Sequence, residues 1–220
     1  MAVKDFANNK NYLTYRLGTS SDASIPYNEI DTANYPTFNA TSPISSEIEK
    51  SIKLNNTTST TKNIAYVNYM NNIPMEISAT ASFTTEMWIK PENVTAKQYL
   101  ISRENFVTPV AAGTWRLYLD TDGKIKFEIF PTAAGAALAI TPSGTQGALT
   151  INTWNHIAAV FSRNGSNNQV AIYQNGSIYA TYSWLVTSAP ISALEVKTII
   201  GGRGLDTSNS FIGSISNVAI

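Results

Sequence analysis

The sequence predicts an all-β protein: an antiparallel two-sheet β-sandwich behind an extended N-terminal arm. Three observations predict it. Apolar residues recur at alternate positions in short runs, the period of a half-buried strand, as in SFTTEMWIK (82–90) and TWRLYLDTDGKIKFEIF (114–130). Asp122-Gly123 and Asn175-Gly176 interrupt such runs, and these are the pairs favoured in two-residue hairpin turns that need φ > 0. No segment keeps helical spacing for the roughly ten residues that a helix requires.

Residues 1–45 form the arm. Pro26, Pro36 and Pro43 punctuate it and no period persists, yet Phe6, Tyr12, Tyr15, Tyr27, Tyr35 and Phe38 are too many aromatics for a solvated tail. The sequence leaves open whether the arm packs on its own domain or on a partner. Residues 46–220 form the sandwich. SSEIEKS (45–51) has capping-box spacing from Ser45 and Ser46 to Glu49, but Ile48, Ile52 and Leu54 fit a strand as well. In SFTTEMWIK, Phe83, Thr85, Met87 and Ile89 share one face, and Glu86 and Trp88 share the other. A hairpin follows at 114–130. NHIAAVFSR (155–163) then leads through NGSNN into the second hairpin, QVAIYQNGSIYATY (169–182). KTIIGG (197–202) and SFIGSISNVAI (210–220) close the chain. Short strands at this density, separated by turn residues, indicate a sandwich or jelly roll.

Composition narrows the function. Charged residues are 14% of the chain, with 15 basic and 15 acidic residues and no run of either sign. A basic footprint for nucleic acid is absent, as is a polybasic membrane-surface helix. No stretch approaches the roughly 18 apolar residues of a membrane span. The expected partners therefore include neither nucleic acid nor a bilayer interior. The chain has no cysteine, which removes disulfides, thiol nucleophiles and thiolate metal sites together. MAVKDFANNKNY carries an acid at Asp5 and no apolar h-region, so no secretory signal is expected. Sequons such as NAT (39–41) and NVT (93–95) then read as chance in an Asn/Thr-rich chain.

The runs arrive in a recognisable order. SSEIEKSIKLNNTTS, YVNY and MEISATASFTTEMWIKP resemble the opening of laminin-G-like jelly rolls of the concanavalin A-like lectin/glucanase superfamily. YLISREN and WRLYLDTDGKIKFEIF are similar to the next strands, and TWNHIAAVFSR, VAIYQNGSIYATY, TIIGGR and FIGSISNVAI to the remainder. The ordered series carries the resemblance, with W-x-H-I-A before a Y-x-N-G hairpin and I-G-x-I-x-x-V-x-I at the end. It implies two sheets packed face to face around a layer filled by alternate residues. Trp88, Trp154, Phe83, Phe161, Ile172, Ile199, Phe211 and Val218 are the expected core.

His156 is the single histidine. It shares a parity with Trp154, Ala158 and Val160, and the resemblance makes it part of the sandwich rather than a catalyst. A general base also needs an orienting partner and a water or nucleophile nearby, and no Ser/Asp arrangement announces one. Glycoside hydrolases within the superfamily are similar to one another in pairing acidic residues on one strand. A retaining mechanism needs two carboxylates about 5–5.5 Å apart, and Glu86 and Glu128 each stand alone in their strands. No enzyme is expected. No cofactor is required, although the resemblance admits calcium at the sandwich rim. The ion takes 6–8 oxygen ligands, for which Asp206 in GGRGLDTSNS, then Asp120 and Asp122, are the candidates. Glycan binding needs exposed aromatics with polar neighbours. Trp184, Tyr179, Tyr182 and Arg203 form one candidate group, Trp115 and Arg116 a second.

The function expected is a non-enzymatic recognition or assembly module. One reading is a virus or phage particle surface protein (a decoration, fibre or tail component) on the virion surface. There the arm would contact other structural proteins or mediate self-association, with glycans as further ligands. The alternative is an extracellular carbohydrate-binding or adhesion module of a larger secreted protein.

Overall fold

The structure is a computed structural model that describes residues 2–4, 12–18, 37–39, 43, 51–55, 62–68, 82–104, 115–130, 138–141, 146–164, 167–185, 197–203 and 209–220. Its strands are β1 (Ala2–Lys4), β2 (Tyr12–Gly18), β3 (Thr37–Asn39), β4 (Ser51–Asn55) and β5 (Lys62–Asn68). They continue with β6 (Phe83–Pro91), β7 (Gln98–Glu104), β8 (Trp115–Leu119), β9 (Ile125–Ile129) and β10 (Leu138–Ile140). The last five are β11 (Asn155–Asn164), β12 (Asn167–Gln174), β13 (Ser177–Leu185), β14 (Lys197–Ile200) and β15 (Ile212–Ala219). An eight-stranded sheet runs β1-β2-β5-β14-β7-β8-β9-β10, and a seven-stranded sheet runs β13-β12-β11-β6-β15-β4-β3. All strand pairings are antiparallel, as the sequence predicts. Residues 1–45 contribute three strands to these sheets: β1 pairs with β2, β2 along β5, and β3 along β4.

The core lies between the sheets. β6 sends Met87 and Ile89 inward, β11 sends Ile157, Ala159 and Phe161, and β8 sends Trp115, Leu117 and Leu119. Phe83 bridges the layer, its ring 5.1 Å from that of Trp115 and 5.4 Å from that of Phe161. Of the expected core residues, Phe161, Ile172 and Phe211 belong to this cluster, and Phe83 and Val218 pack partly buried against it. Ile199 is fully buried. Trp88 and Trp154 are half-buried and do not join the cluster. Trp88 alternates with Met87 and Ile89, so the pleat itself sends it outward.

The two hairpins differ. Gln174 pairs with Ser177 across a two-residue turn, in which Asn175 and Gly176 have φ of 50° and 80°. That is the turn the Asn-Gly pair predicts. The Asp-Gly turn is longer than expected. Asp120 N–H donates to Lys124 O and Gly123 N–H to Asp120 O, both at 2.9 Å, which gives a three-residue loop ending in Gly123 at φ 73°. This is the type I turn with a left-handed glycine that follows such loops.

Asp120 braces the turn. Its carboxylate accepts from the Thr121 N–H at 2.8 Å and from Lys126 Nζ at 2.6 Å. Burial pushes the Asp120 carboxyl up, but the Lys126 and Thr121 hydrogen bonds and the Lys126 and Lys97 charges outweigh it and hold it below the ordinary value. A carboxyl depressed by folding stabilises the fold above its unfolded pKa, and this contribution is lost as pH falls through the folded value. Asp120→Asn is therefore expected to cost about 1 kcal/mol at neutral pH. In urea titrations the deficit should shrink below pH 4, because the wild type then loses the same contribution.

Gly213 holds β15 against β6. It adopts φ 146°, and a Cβ there would lie 2.3 Å from the Lys90 carbonyl oxygen and 3.0 Å from Phe211 Cζ. Gly213→Ala must strain the backbone and separate the strands. The expected loss is about 2–4 kcal/mol, read as a lower urea midpoint.

Candidate functional site

The outward positions of the seven-stranded sheet form a solvent-facing surface that strand alternation sets residue by residue. β6 presents Thr84, Glu86, Trp88 and Lys90, while β11 presents His156, Ala158 and Val160. Register then fixes the rows. Ser216, Trp88 and His156 lie side by side across β15, β6 and β11. In the next row Glu86 faces Ala158, Ala158 faces Tyr173, and Tyr173 faces Ile178. Ala158 and Ala171 carry only a Cβ, so the floor stays low between Trp88 and Glu86 on one side and Tyr173 and Ile178 on the other.

Trp88, His156 and Glu86 form a contiguous group. The Trp88 and His156 rings lie 5.2 Å apart at 51°. His156 Nε2 is 3.5 Å from Glu86 Oε2, with the side chains 28% and 46% exposed. The Asn-Gly turn holds the histidine backbone: His156 N–H donates to Asn175 Oδ1 and His156 O accepts from Asn175 N–H, both at 2.8 Å. Beneath it Gln174 Nε2 donates to Asn155 Oδ1 at 2.9 Å, and Asn155 Nδ2 to Thr153 O at 2.9 Å. The tight turn thus fixes the start of β11, and β11 fixes the imidazole.

One row further, Lys53 and Lys90 stand opposite Ser214 from its two sides. Lys53 forms an ion pair with Glu92. Burial and then the Lys90 charge lower the Lys53 pKa below the ordinary lysine value. The register between β15 and β6 shifts after Ser216, where Asn217 has φ 48°. Bulges of this kind re-aim side chains beside functional surfaces.

The sequence candidates fall elsewhere. Trp115, expected on an exposed platform, is fully buried in the core, because it shares the parity of Leu117 and Leu119. Arg116 lies on the outer side of the eight-stranded sheet, 6% exposed. It donates to Glu128 at 3.3 Å and covers the Phe130 ring at 4.6 Å. Tyr179 is also buried, with its hydroxyl donating to Gly147 O at 3.1 Å. Tyr182 is 44% exposed on β13. Trp184 is on the same strand as Tyr182, its backbone paired with Asn168 of β12, but its side chain lies outside the described residues, as does Asp206. Of the proposed calcium ligands, Asp120 and Asp122 lie 2.6 and 3.3 Å from Lys126 Nζ. That ammonium already sits between the carboxylates, so the pair as arranged does not fit a calcium ion.

Arg116 and Arg203 flank opposite ends of a second group on the eight-stranded sheet, in which the Tyr99 and Tyr118 rings lie 5.9 Å apart. Tyr118 donates to Glu128 at 2.8 Å, Lys97 lies 4.1 Å from the Tyr118 ring centre, and Arg203 lies 5.7 Å from that of Tyr99. Burial, then the Glu128 charge and hydrogen bond, push the Tyr118 hydroxyl well above the usual tyrosine range. Glu128 also accepts from Arg116, and both tyrosines are only 3% exposed. These rings are closed off by their own partners, unlike Trp88.

Sequence reasoning misses the Glu86–His156 pair because its members are 70 positions apart. The signal available was parity, which already put Glu86 and Trp88 on the face opposite Met87. A partly exposed indole flanked by a carboxylate and an imidazole can stack on an apolar sugar face and hydrogen-bond its hydroxyls.

The fold is a two-sheet antiparallel β-sandwich. The chain belongs to the concanavalin A-like lectin/glucanases superfamily, whose laminin-G model matches residues 58–220. No curated protein matches it. Among solved structures it is similar to the CBM40 of the Ruminococcus gnavus IT-sialidase bound to α2,3-sialyllactose, at 17% identity and TM-score 0.46, over 62% of this chain and 74% of that one. It is also similar to an endo-1,3-β-glucanase of Streptomyces sioyaensis, at 10% identity and TM-score 0.43, over 77% and 73% of the two chains. A third similar structure is a Trypanosoma rangeli sialidase, at 12% identity and TM-score 0.44, over 77% of this chain and 24% of that one. Binding modules and enzymes both occur among these folds, which therefore leave ligand and activity to be argued from the site.

Proposed function

We propose that this protein is a carbohydrate-binding module, acting outside the cell or at a surface, that holds saccharides on the outer face of the seven-stranded sheet without turning them over. The observation that carries the reading is the partly exposed Trp88 ring with Glu86 and His156 beside it. Glu86 is the one carboxylate in this group, whereas retaining or inverting hydrolysis needs a pair across the scissile bond. The strands within residues 1–45 pair within the chain's own sheets, and no observation favours an anchor on a virus particle. A glycan array with the whole protein, run in calcium and again in excess chelator, tests the reading. Binding that survives chelation and is lost in Trp88→Ala supports it. Binding that disappears with chelator, or that Trp88→Ala leaves intact, refers recognition to another part of the chain.

A further inference from the structure

We propose that the saccharide this face selects is acidic, its carboxylate or sulfate group seated between Lys90 and Lys53 while its ring lies on Trp88. The inference rests on the carbohydrate reading of the same face. Trp88 and Lys90 are two apart on β6 and project to the same side. Lys53 and Lys90 are each cross-strand neighbours of Ser214, so about 10 Å separates their backbones across two strand spacings. Lysine side chains span that gap easily, which lets both ammonium groups reach one anion. Among the described residues Lys53 has Glu92 as an ion-pair partner, whereas Lys90 has none. The two ammonium groups face each other across β15, and burial, then the Lys90 charge, lower the Lys53 pKa. An anion between them removes the repulsion and satisfies Lys90. Ser216 adds to the polarity of this corner: it sits beside Trp88, and its buried Oγ has no hydrogen-bond partner. At the other end, Glu86 and His156 offer an acceptor and a donor for sugar hydroxyls, which orients the ligand with its acid group toward the lysines.

The test is a titration of the whole protein with matched neutral, carboxylated and sulfated oligosaccharides, for the wild type, Lys90→Gln and Trp88→Ala. Acidic ligands should bind the wild type about tenfold or more tightly than their neutral counterparts, the scale of one charge-assisted contact. Lys90→Gln should erase that preference and flatten the salt dependence, with the urea midpoint unchanged. Lys90→Arg should restore the preference. Comparison of carboxylated with sulfated ligands identifies the acid. If neutral and acidic ligands bind alike and Lys90→Gln changes neither, while Trp88→Ala abolishes both, the face stands and the acidic assignment falls. If Trp88→Ala changes no binding, both fall.

Discussion

Replacing Trp115 with alanine is expected to cost about 3–5 kcal/mol of folding stability, the range for removing a large buried aromatic side chain. Trp115 is fully buried, with its ring 5.1 Å from Phe83 and 5.9 Å from Phe127. Phe83 continues the stack to Phe161 on β11, so deletion opens a cavity where the two sheets meet. In a domain of this size such a loss lowers Tm by about 10 °C or more. Trp115→Phe keeps most of the stack and removes an indole N–H that has no hydrogen-bond partner. It should cost much less. Glycan affinity per folded molecule should not change in either variant. An intact Tm with weakened binding in Trp115→Ala would return Trp115 to a binding surface.

Trp88→Ala is expected to do the reverse. As the central aromatic of the outer face it should act as a binding hot spot, whose truncation costs about 2 kcal/mol, or roughly thirtyfold in Kd. Its ring is only half-buried and lies outside the core cluster, so the stability loss should stay near 1 kcal/mol. Trp88→Phe should recover part of the affinity, since a smaller ring still stacks. Paired denaturation and titration of Trp88→Ala and Trp115→Ala thus separate the two tryptophans by opposite patterns. Equal effects of both variants on binding and folding would contradict the assignment of one to the surface and the other to the core.

Strand alternation made most of the sandwich legible in the sequence. Met87 and Ile89 against Glu86 and Trp88, and the Asn-Gly turn, follow from local rules alone. Trp115 was expected on an exposed glycan-binding platform, but its parity with Leu117 and Leu119 places it inside. The Asp-Gly turn was placed correctly but not its length, because the Gly123 conformation serves a three-residue loop as readily as a two-residue one. The site itself needed register. Glu86 and His156 become neighbours only when β6 pairs with β11, and Lys53 approaches Lys90 only through β15. Pairings between strands so far apart in sequence leave no local mark, so a lone histidine and two ordinary lysines carried no signal.

The most direct measurement is NMR of the tryptophan indole N–H groups during titration with an array-positive glycan. The chain has four tryptophans, so the spectrum is simple and each resonance can be assigned by single substitution. The Trp88 indole resonance should move with saturating ligand while that of buried Trp115 stays in place. A shift confined to Trp184, or a titration that moves no resonance of the Trp88 surface, would contradict it.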